Sequence, residues 1–303
     1  RGGSKRHQTK RCLDLAGGYY RPMTVHKMRG ALDADGNILG WHDVVVNQSI
    51  MAGGPIEQMM VDGKDPTSYE GATKMPYDLA NLRVDWVRAE SAVPVLWWRS
   101  VGHTHTGYAT EVFLDQLLEA SGKDPVQGRL DLLKGDMGRD RAVLEKVAEM
   151  AGWDGTKVKG DKAYGVAVHE SFGTYTAQIA EVEDRDGFPH VTKVWCAVDC
   201  GVAVNPNVIR AQIEGGIGYG LGSVLFNAVT LGEGGVVQNF DTYRMIRINE
   251  MPAVEVEIIK STMDPSGIGE PGTPPVGPAV ANAWRALTGT NVTTLPFSTP
   301  TGA

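Results

Sequence analysis

The chain has 303 residues, 42% of them hydrophobic and 21% charged, and a formal net charge of −7. That length is enough for one large domain or two ordinary ones, each with its own core. No apolar run approaches the ~18 residues of a membrane-spanning helix, and the acidic balance argues against a general nucleic-acid binder, which needs a basic face.

The cysteines, Cys12, Cys196 and Cys200, form no Cys-x-x-Cys pair, so no zinc, iron–sulfur or haem site of ordinary spacing is present. Residues 1–16 begin with Arg1, Lys5, Arg6, Lys10 and Arg11 and lack an apolar signal-peptide core. This stretch is expected to be a disordered or altered basic tail, with nucleic-acid binding a weak alternative.

From Tyr20 the pattern predicts a strand over Thr24 to Leu32, a turn at Asp35-Gly36 and a strand over Ile38 to Ile50. Residues 51 to 80, rich in Gly, Pro, Met and Asp, read as a long covering loop. A strand near Asn81 to Glu90 leads to Trp97-Trp98-Arg99-Ser100-Val101-Gly102-His103. A helix follows from about Gly107 to Ala120, with Phe113, Leu114, Leu117 and Leu118 at helical spacing and Gly122 as its stop. Val143, Leu144, Val147, Ala148 and Ala151 mark a second amphipathic helix. The Gly- and Lys-rich stretch 152 to 163 is the expected boundary between a first lobe, 17–151, and a second, 152–303.

The second lobe opens with a hairpin, Thr176 to Glu183 and His190 to Asp199, turned at Asp186-Gly187. Four-residue spacing puts Cys196 and Cys200 on one face of a strand, as buried small side chains rather than a metal or redox pair. Asn205 is placed to cap a helix beginning at Pro206, whose inward stripe is Ile209, Ile213, Ile217, Leu221 and Val224. That helix also holds Gly215, Gly216, Gly218, Gly220 and Gly222. Each costs up to ~1 kcal/mol relative to alanine, so close approach of another backbone or of a ligand must offset them. Tight helix packing is the preferred reading, and no dinucleotide-binding register fits. A strand over Ala253 to Lys260 feeds the Gly267 to Pro275 loop, and Pro278 opens a closing helix with Val280, Ala281, Trp284 and Leu287 inward and Gly289 just past its end.

Gly267-Ile268-Gly269-Glu270-Pro271-Gly272 projects one carboxylate from a Gly/Pro loop able to approach a ligand closely. Desolvation there would equip Glu270 as a base near neutral pH. By itself such a Glu is more often an exposed turn residue.

Other segments shift that balance. Asp199-Cys200-Gly201, Asn205-Pro206, Gln212-Ile213-Glu214-Gly215-Gly216, Gly267 to Pro271 and Pro278 to Ala283, in this order and spacing, resemble the end of molybdopterin-binding large subunits of the xanthine oxidase family. Tyr19-Tyr20-Arg21-Pro22, Trp98 to His103, Glu111 with Asp115, and Asp124-Pro125 resemble its isoquinoline oxidoreductase and aldehyde dehydrogenase branch. The resemblance runs from about residue 17 onward. It implies an α+β fold of mixed sheets with packed helices, a molybdenum–molybdopterin cofactor with the cytosine dinucleotide form as one option, and hydroxylation of an aldehyde or N-heteroaromatic at an electron-poor carbon. Glu270 takes the place of the family's catalytic base. Arg99, Ser100, Val101, Gly102 and His103, with Gly267, Ile268 and Gly269, match segments that lie against the cofactor; no protein side chain is expected to ligate the metal. Implied partners are the upstream half of the large subunit, a small [2Fe-2S] subunit and, as a further option, a cytochrome c subunit. A periplasmic location is the leading guess from the resemblance alone.

The family's Phe-Gly-Gly and Gly-Gln-Gly loops are absent, and Thr9 to Asp14 replaces an acidic stretch. These departures suggest a split, broken or partial gene product that alone binds little molybdenum and self-associates. The competing reading is a non-catalytic remnant or interaction module. A metal site at His103-x-His105 with Glu111 has no further ligand at a diagnostic spacing and reads as a polar loop, and no Gly-x-Ser-x-Gly supports a serine hydrolase.

Overall fold

The computed structural model describes residues 17–133, 138–232 and 235–298; the basic tail, with Cys12, lies outside the described residues. Strand β1 (Thr24–Leu32) pairs antiparallel with β2 (Ile38–Asn47), which pairs parallel with β3 (Leu82–Arg88). β2 ends short of the expected Ile50 because Asp65 captures the chain: its Oδ2 accepts from Ser49 Oγ at 2.7 Å and from the Ile50 N–H at 3.0 Å. The covering loop between β2 and β3 contains two short 3-10 turns, Glu57–Met59 and Pro66–Ser68.

Helix α1 (His103–Ala120) starts a turn earlier than the sequence suggested. Gly107 lies inside it because of packing, since a Cβ there would sit 3.1 Å from His169 and 3.3 Å from Pro274. His103 and His105 are therefore on the first turn of a helix, not on a strand or loop, and point to different partners. A helix the sequence reading omitted, α2 (Pro125–Leu132), is capped by Asp124, whose Oδ1 accepts from Val126 N at 2.8 Å and Gln127 N at 2.7 Å. Helix α3 (Arg139–Ala151) buries Val143, Leu144 and Val147.

The central feature is a five-stranded sheet of β4 (Val158–Lys159), β5 (Lys162–Ser171), β6 (Thr174–Arg185), β7 (Phe188–Asp199) and β10 (Ala253–Ile258), in the order β10-β7-β6-β5-β4. β10 joins β7 in parallel and the other pairs are antiparallel, so the expected mixed-sheet α+β class stands. Asp186 and Gly187 turn the β6–β7 hairpin with φ of 57° and 79°, the double left-handed geometry that Asp-Gly favours. A small hairpin, β8 (Leu231–Gly232) with β9 (Gly235–Val236), follows α4 (Pro206–Leu225). Helix α5 (Val276–Thr288) begins before Pro278, which sits in the first turn where helical N–H groups have no partner in any case.

Alternation along β5–β7 supplies two cores. Ala163, Ala167, Ala180, Val182, Val194, Cys196 and Val198 face α4 and α5, together with Cys200. Val166, Val168, Ala177, Ile179, Trp195 and Ala197 face α1 and α3 in a cluster that draws residues from both sides of 152–163. Both described cysteines are thus buried in apolar packing and unbridged. The closing helix lies directly on strand backbone: a Cβ at Gly165 would stand 2.2 Å from Ala279 O.

One buried polar network ties these layers together. Arg129, wholly buried, donates from Nε to Glu111 Oε2 at 3.0 Å and from Nη1 to Asp115 Oδ1 at 2.9 Å. Tyr77 OH and Val168 N donate to the two Glu111 oxygens at 2.6 and 2.9 Å.

Candidate functional site

The Gly267–Glu270 loop is fastened to the start of β6 and to α4. Thr174 Oγ1 donates to Gly267 O at 2.6 Å, and Gln178 Nε2 donates to Gly272 O at 2.9 Å. The glycine face of α4 admits this loop. A Cβ at Gly216 would lie 3.1 Å from Gly272, and one at Gly220 would meet Thr273 O at 2.8 Å and Val276 Cγ1 at 2.5 Å. Gly215 differs, being exposed with nothing closer to its Cβ position than Arg99 Nη1 at 3.9 Å.

The Trp98–Gly102 segment, which leads into α1, approaches the same place. Val101 N donates to Trp98 O at 2.8 Å, closing a turn in which Ser100 and Val101 have φ of 71° and 47°. A β-branched residue there stores about 1–3 kcal/mol of strain, which persists only when surroundings over-determine it. They do: a Cβ at Gly102 would fall 2.0 Å from Thr67 O.

The two segments meet at Glu270. Ser100 N donates to Glu270 Oε1 at 2.7 Å, and Ser100 Oγ donates to the Glu270 carbonyl at 2.8 Å. Arg99 Nε donates to Gly269 O at 2.8 Å, its Nη2 reaches the same oxygen and Gln212 Oε1, and its guanidinium carbon lies 5.7 Å from the Tyr219 ring centre. Arg99, Ser100, Gly269 and Glu270 are therefore brought together. Val101 and Gly102 complete the turn without touching the carboxylate. Gly267 lies beside Phe172, and Ile268 packs against the core.

His103 has other partners than Glu270. It is buried, its Nδ1 lies 2.9 Å from His169 Nε2, and its Nε2 is 3.9 Å from Glu70 Oε2. Burial pushes the His103 imidazole down to about 4. His105 instead meets His26 at 2.9 Å, and His26 Nδ1 lies 3.0 Å from Asp43. Among the described residues no group of three His, Cys, Asp or Glu side chains is arranged to hold a metal ion.

Glu70, absent from the sequence-derived site, accepts from Gly102 N at 2.8 Å. Burial, followed by the charges of Asp65 and Glu270, raises its carboxyl to about 7. The available signal was Glu70-Gly71, an acid beside a glycine, a pairing that Asp62-Gly63 in the same loop shares. A Cβ at Gly71 would collide with His103 and Thr106 at 2.9 Å.

What the site can hold follows from its donors. Gly215 and Gly269 present bare backbone next to the Arg99 guanidinium and the Gln212 amide; the nearest atom to a Cβ at Gly269 is Gln212 Oε1 at 3.9 Å. Planar charge-assisted donors beside open glycine backbone fit one side of an anionic, oxygen-rich group.

A profile of the molybdopterin cofactor-binding domain matches residues 108–252. Residues 108–252 thus carry a domain of this family. The subunit beta of isoquinoline 1-oxidoreductase from Brevundimonas diminuta is 32% identical over 77% of this chain and 30% of its own length. A membrane-bound aldehyde dehydrogenase from Gluconacetobacter polyoxogenes, named as pyrroloquinoline-quinone type, is 32% identical over 91% of this chain and 39% of its length. The resemblance to the isoquinoline oxidoreductase and aldehyde dehydrogenase type is thereby borne out, as is a molybdopterin cofactor, while the chain spans 30% and 39% of these two relatives. The fold matches quinoline 2-oxidoreductase from Pseudomonas putida 86 with a TM-score of 0.77 at 12% identity, over 94% of this chain and 62% of that one. Aldehyde oxidoreductase from Desulfovibrio gigas matches with a TM-score of 0.65 at 13% identity, over 91% of this chain and 48% of that one. At such identities the molybdopterin-binding domain's architecture is what these structures share with the chain.

Proposed function

We propose that this chain forms one wall of the molybdenum site of a hydroxylase acting on an aldehyde or N-heteroaromatic, with Glu270 as its base. The observation that carries the reading is the clasp of Glu270 by Ser100, which joins two segments far apart in sequence into one half-buried carboxylate site. When bound, the molybdenum–molybdopterin group supplies the oxygen nucleophile and accepts the electron pair leaving the substrate carbon. Glu270 takes the proton from the attacking oxygen. With Oε1 held by the Ser100 N–H, Oε2 is the atom placed to receive it, since a base must come within about 2.6–3.2 Å of its proton donor. Arg99 and Gln212 bind oxygen-bearing groups of the cofactor, while Gly215 and Gly269 keep the approach clear. Val101 and Gly102 shape the turn that carries Ser100, and Gly267 and Ile268 seat the Glu270 loop. A [2Fe-2S] subunit would take up the electrons, and the rest of the large subunit would supply the remaining cofactor contacts.

The test assembles this chain with the remainder of a full-length large subunit and its iron–sulfur partner, then measures molybdenum content and oxidation of an aldehyde and an N-heteroaromatic. Stoichiometric molybdenum with turnover that Glu270→Gln removes is the expected result. Loaded enzyme that oxidises neither substrate class would overturn the reading.

A further inference from the structure

The turn at 100–102 is gripped by two carboxyl groups. Ser100 N donates to Glu270 Oε1 at 2.7 Å, Gly102 N donates to Glu70 Oε1 at 2.8 Å, and the Val101 N–H between them is turned back to Trp98 O. Successive N–H groups in left-handed backbone form a concave anion site, and here protein carboxylates fill it. We propose that Glu70 is a positioning residue for Glu270: it anchors the turn whose Ser100 N–H orients the Glu270 carboxylate, and it links that turn to the buried pair His103 and His169. This deepens the reading of Glu270 as a base and rests on it.

Asp65, in the same loop, shows what a purely structural carboxylate looks like here. It is fully buried and accepts from Ser49 Oγ, from the N–H groups of Ile50, Met51 and Thr67, and from Thr67 Oγ1. Glu70 is built otherwise. Its backbone is fixed, with Thr106 Oγ1 donating to Glu70 O at 2.7 Å, and Gly71 leaves no room for a side chain beside it. Yet among the described residues its carboxylate has no Lys or Arg partner, and its Oε2 faces His103 Nε2 at 3.9 Å. The titratable groups around it are Asp65, His103 and Glu270, with His169 behind His103 and Arg99 beside Glu270.

Burial holds the Glu70 carboxyl at about 7, so its charge changes near neutrality. Ionised, it accepts the Gly102 N–H strongly and repels Glu270; protonated, it does both less. The stability sign follows. A carboxyl raised above its ordinary value stabilises the fold most below the unfolded value, and that contribution is lost as pH rises towards about 7.

The test uses this chain and the variants Glu70→Gln and Glu70→Ala. Amide NMR of Ser100 is followed from pH 5 to 8, and thermal midpoints are compared over the same range. The Ser100 signal should move with a transition near pH 7 in the parent, lose that transition in Glu70→Gln and be displaced at every pH in Glu70→Ala. Glu70→Gln should gain midpoint over the parent as pH rises. In the assembled enzyme Glu70→Ala should lower kcat by up to about 10²-fold with KM kept, the signature of a misplaced group. A Ser100 amide that ignores both substitutions at every pH overturns the proposal. A Ser100 signal that follows Glu70, in an enzyme that keeps full turnover after Glu270→Gln, upholds the coupling and removes only the base assignment.

Discussion

Ser100 holds Glu270 twice, by its N–H on the carboxylate at 2.7 Å and by its hydroxyl on the carbonyl at 2.8 Å. The side chain and the backbone of the proposed base are thus set by one residue, itself locked in left-handed backbone.

Glu270→Gln keeps an acceptor for the Ser100 N–H, so folding and cofactor loading should survive. Turnover of the assembled enzyme should fall by ~10²-fold or more, the usual cost of removing a general base. Rate and molybdenum content measured on the same sample check this.

The glycines of α4 should separate by substitution. Gly220→Ala, with Thr273 O at 2.8 Å from the new Cβ, should destabilise by roughly 1–3 kcal/mol through overpacking. Gly215→Ala, on the open face, should be neutral or stabilising by up to ~1 kcal/mol through helix propensity. Gly218→Leu should be costly too, although Met251, the neighbour there, is a flexible side chain. Denaturant titration of the three variants decides the order.

Arg129→Met should destabilise the chain on the order of 3–5 kcal/mol, because Glu111 and Asp115 would be left buried with their shared cation gone. Triple replacement with Glu111→Gln and Asp115→Asn should recover part of that loss. An Arg129→Met midpoint equal to the parent's would show that the network relaxes.

His103 should make the fold acid-sensitive. Its imidazole is held near 4 by burial, so the unfolded chain binds the proton more readily, and stability is lost as pH falls from the ordinary value of about 6.5 towards 4. The effect is on the order of 3 kcal/mol. It runs opposite to that of Glu70, so the net midpoint alone is uninformative, and the difference between parent and His103→Gln across pH 4 to 7 is the measurement to make.

Much of the architecture was legible because it is written in local chemistry. Asp186-Gly187 requires positive φ, and Asn205-Pro206 caps and starts α4, with Asn205 Oδ1 accepting from Val208 N at 3.2 Å. The α4 stripe from Ile209 to Val224 is buried as its spacing implied. β5 was missed because its apolar residues run Ala163, Val166, Ala167, Val168, small and buried on both faces, with none of the two-residue alternation that marks a half-exposed strand. The start of α1 was misplaced because His103 and Thr104 carry no apolar signal, and their burial is tertiary. In the candidate site, the sequence pointed to the segments of Arg99 and Glu270, which the fold brings together, whereas Glu70 was hidden in the covering loop: only the folded chain puts its carboxylate on the Gly102 N–H.

The contact of α5 with Gly165 bears on the order in which the protein is made. Every strand of the central sheet precedes α5 in the chain, yet α5 supplies Val276, Ala279, Val280 and Ala283 to the cover of one of its faces. A growing polypeptide therefore leaves the ribosome with the apolar side of β5, β6 and β7 partly bare, and that surface stays adhesive until the helix emerges. This interval, when Ala167, Val182 and Val194 lack their final neighbours, is when a chaperone would be needed.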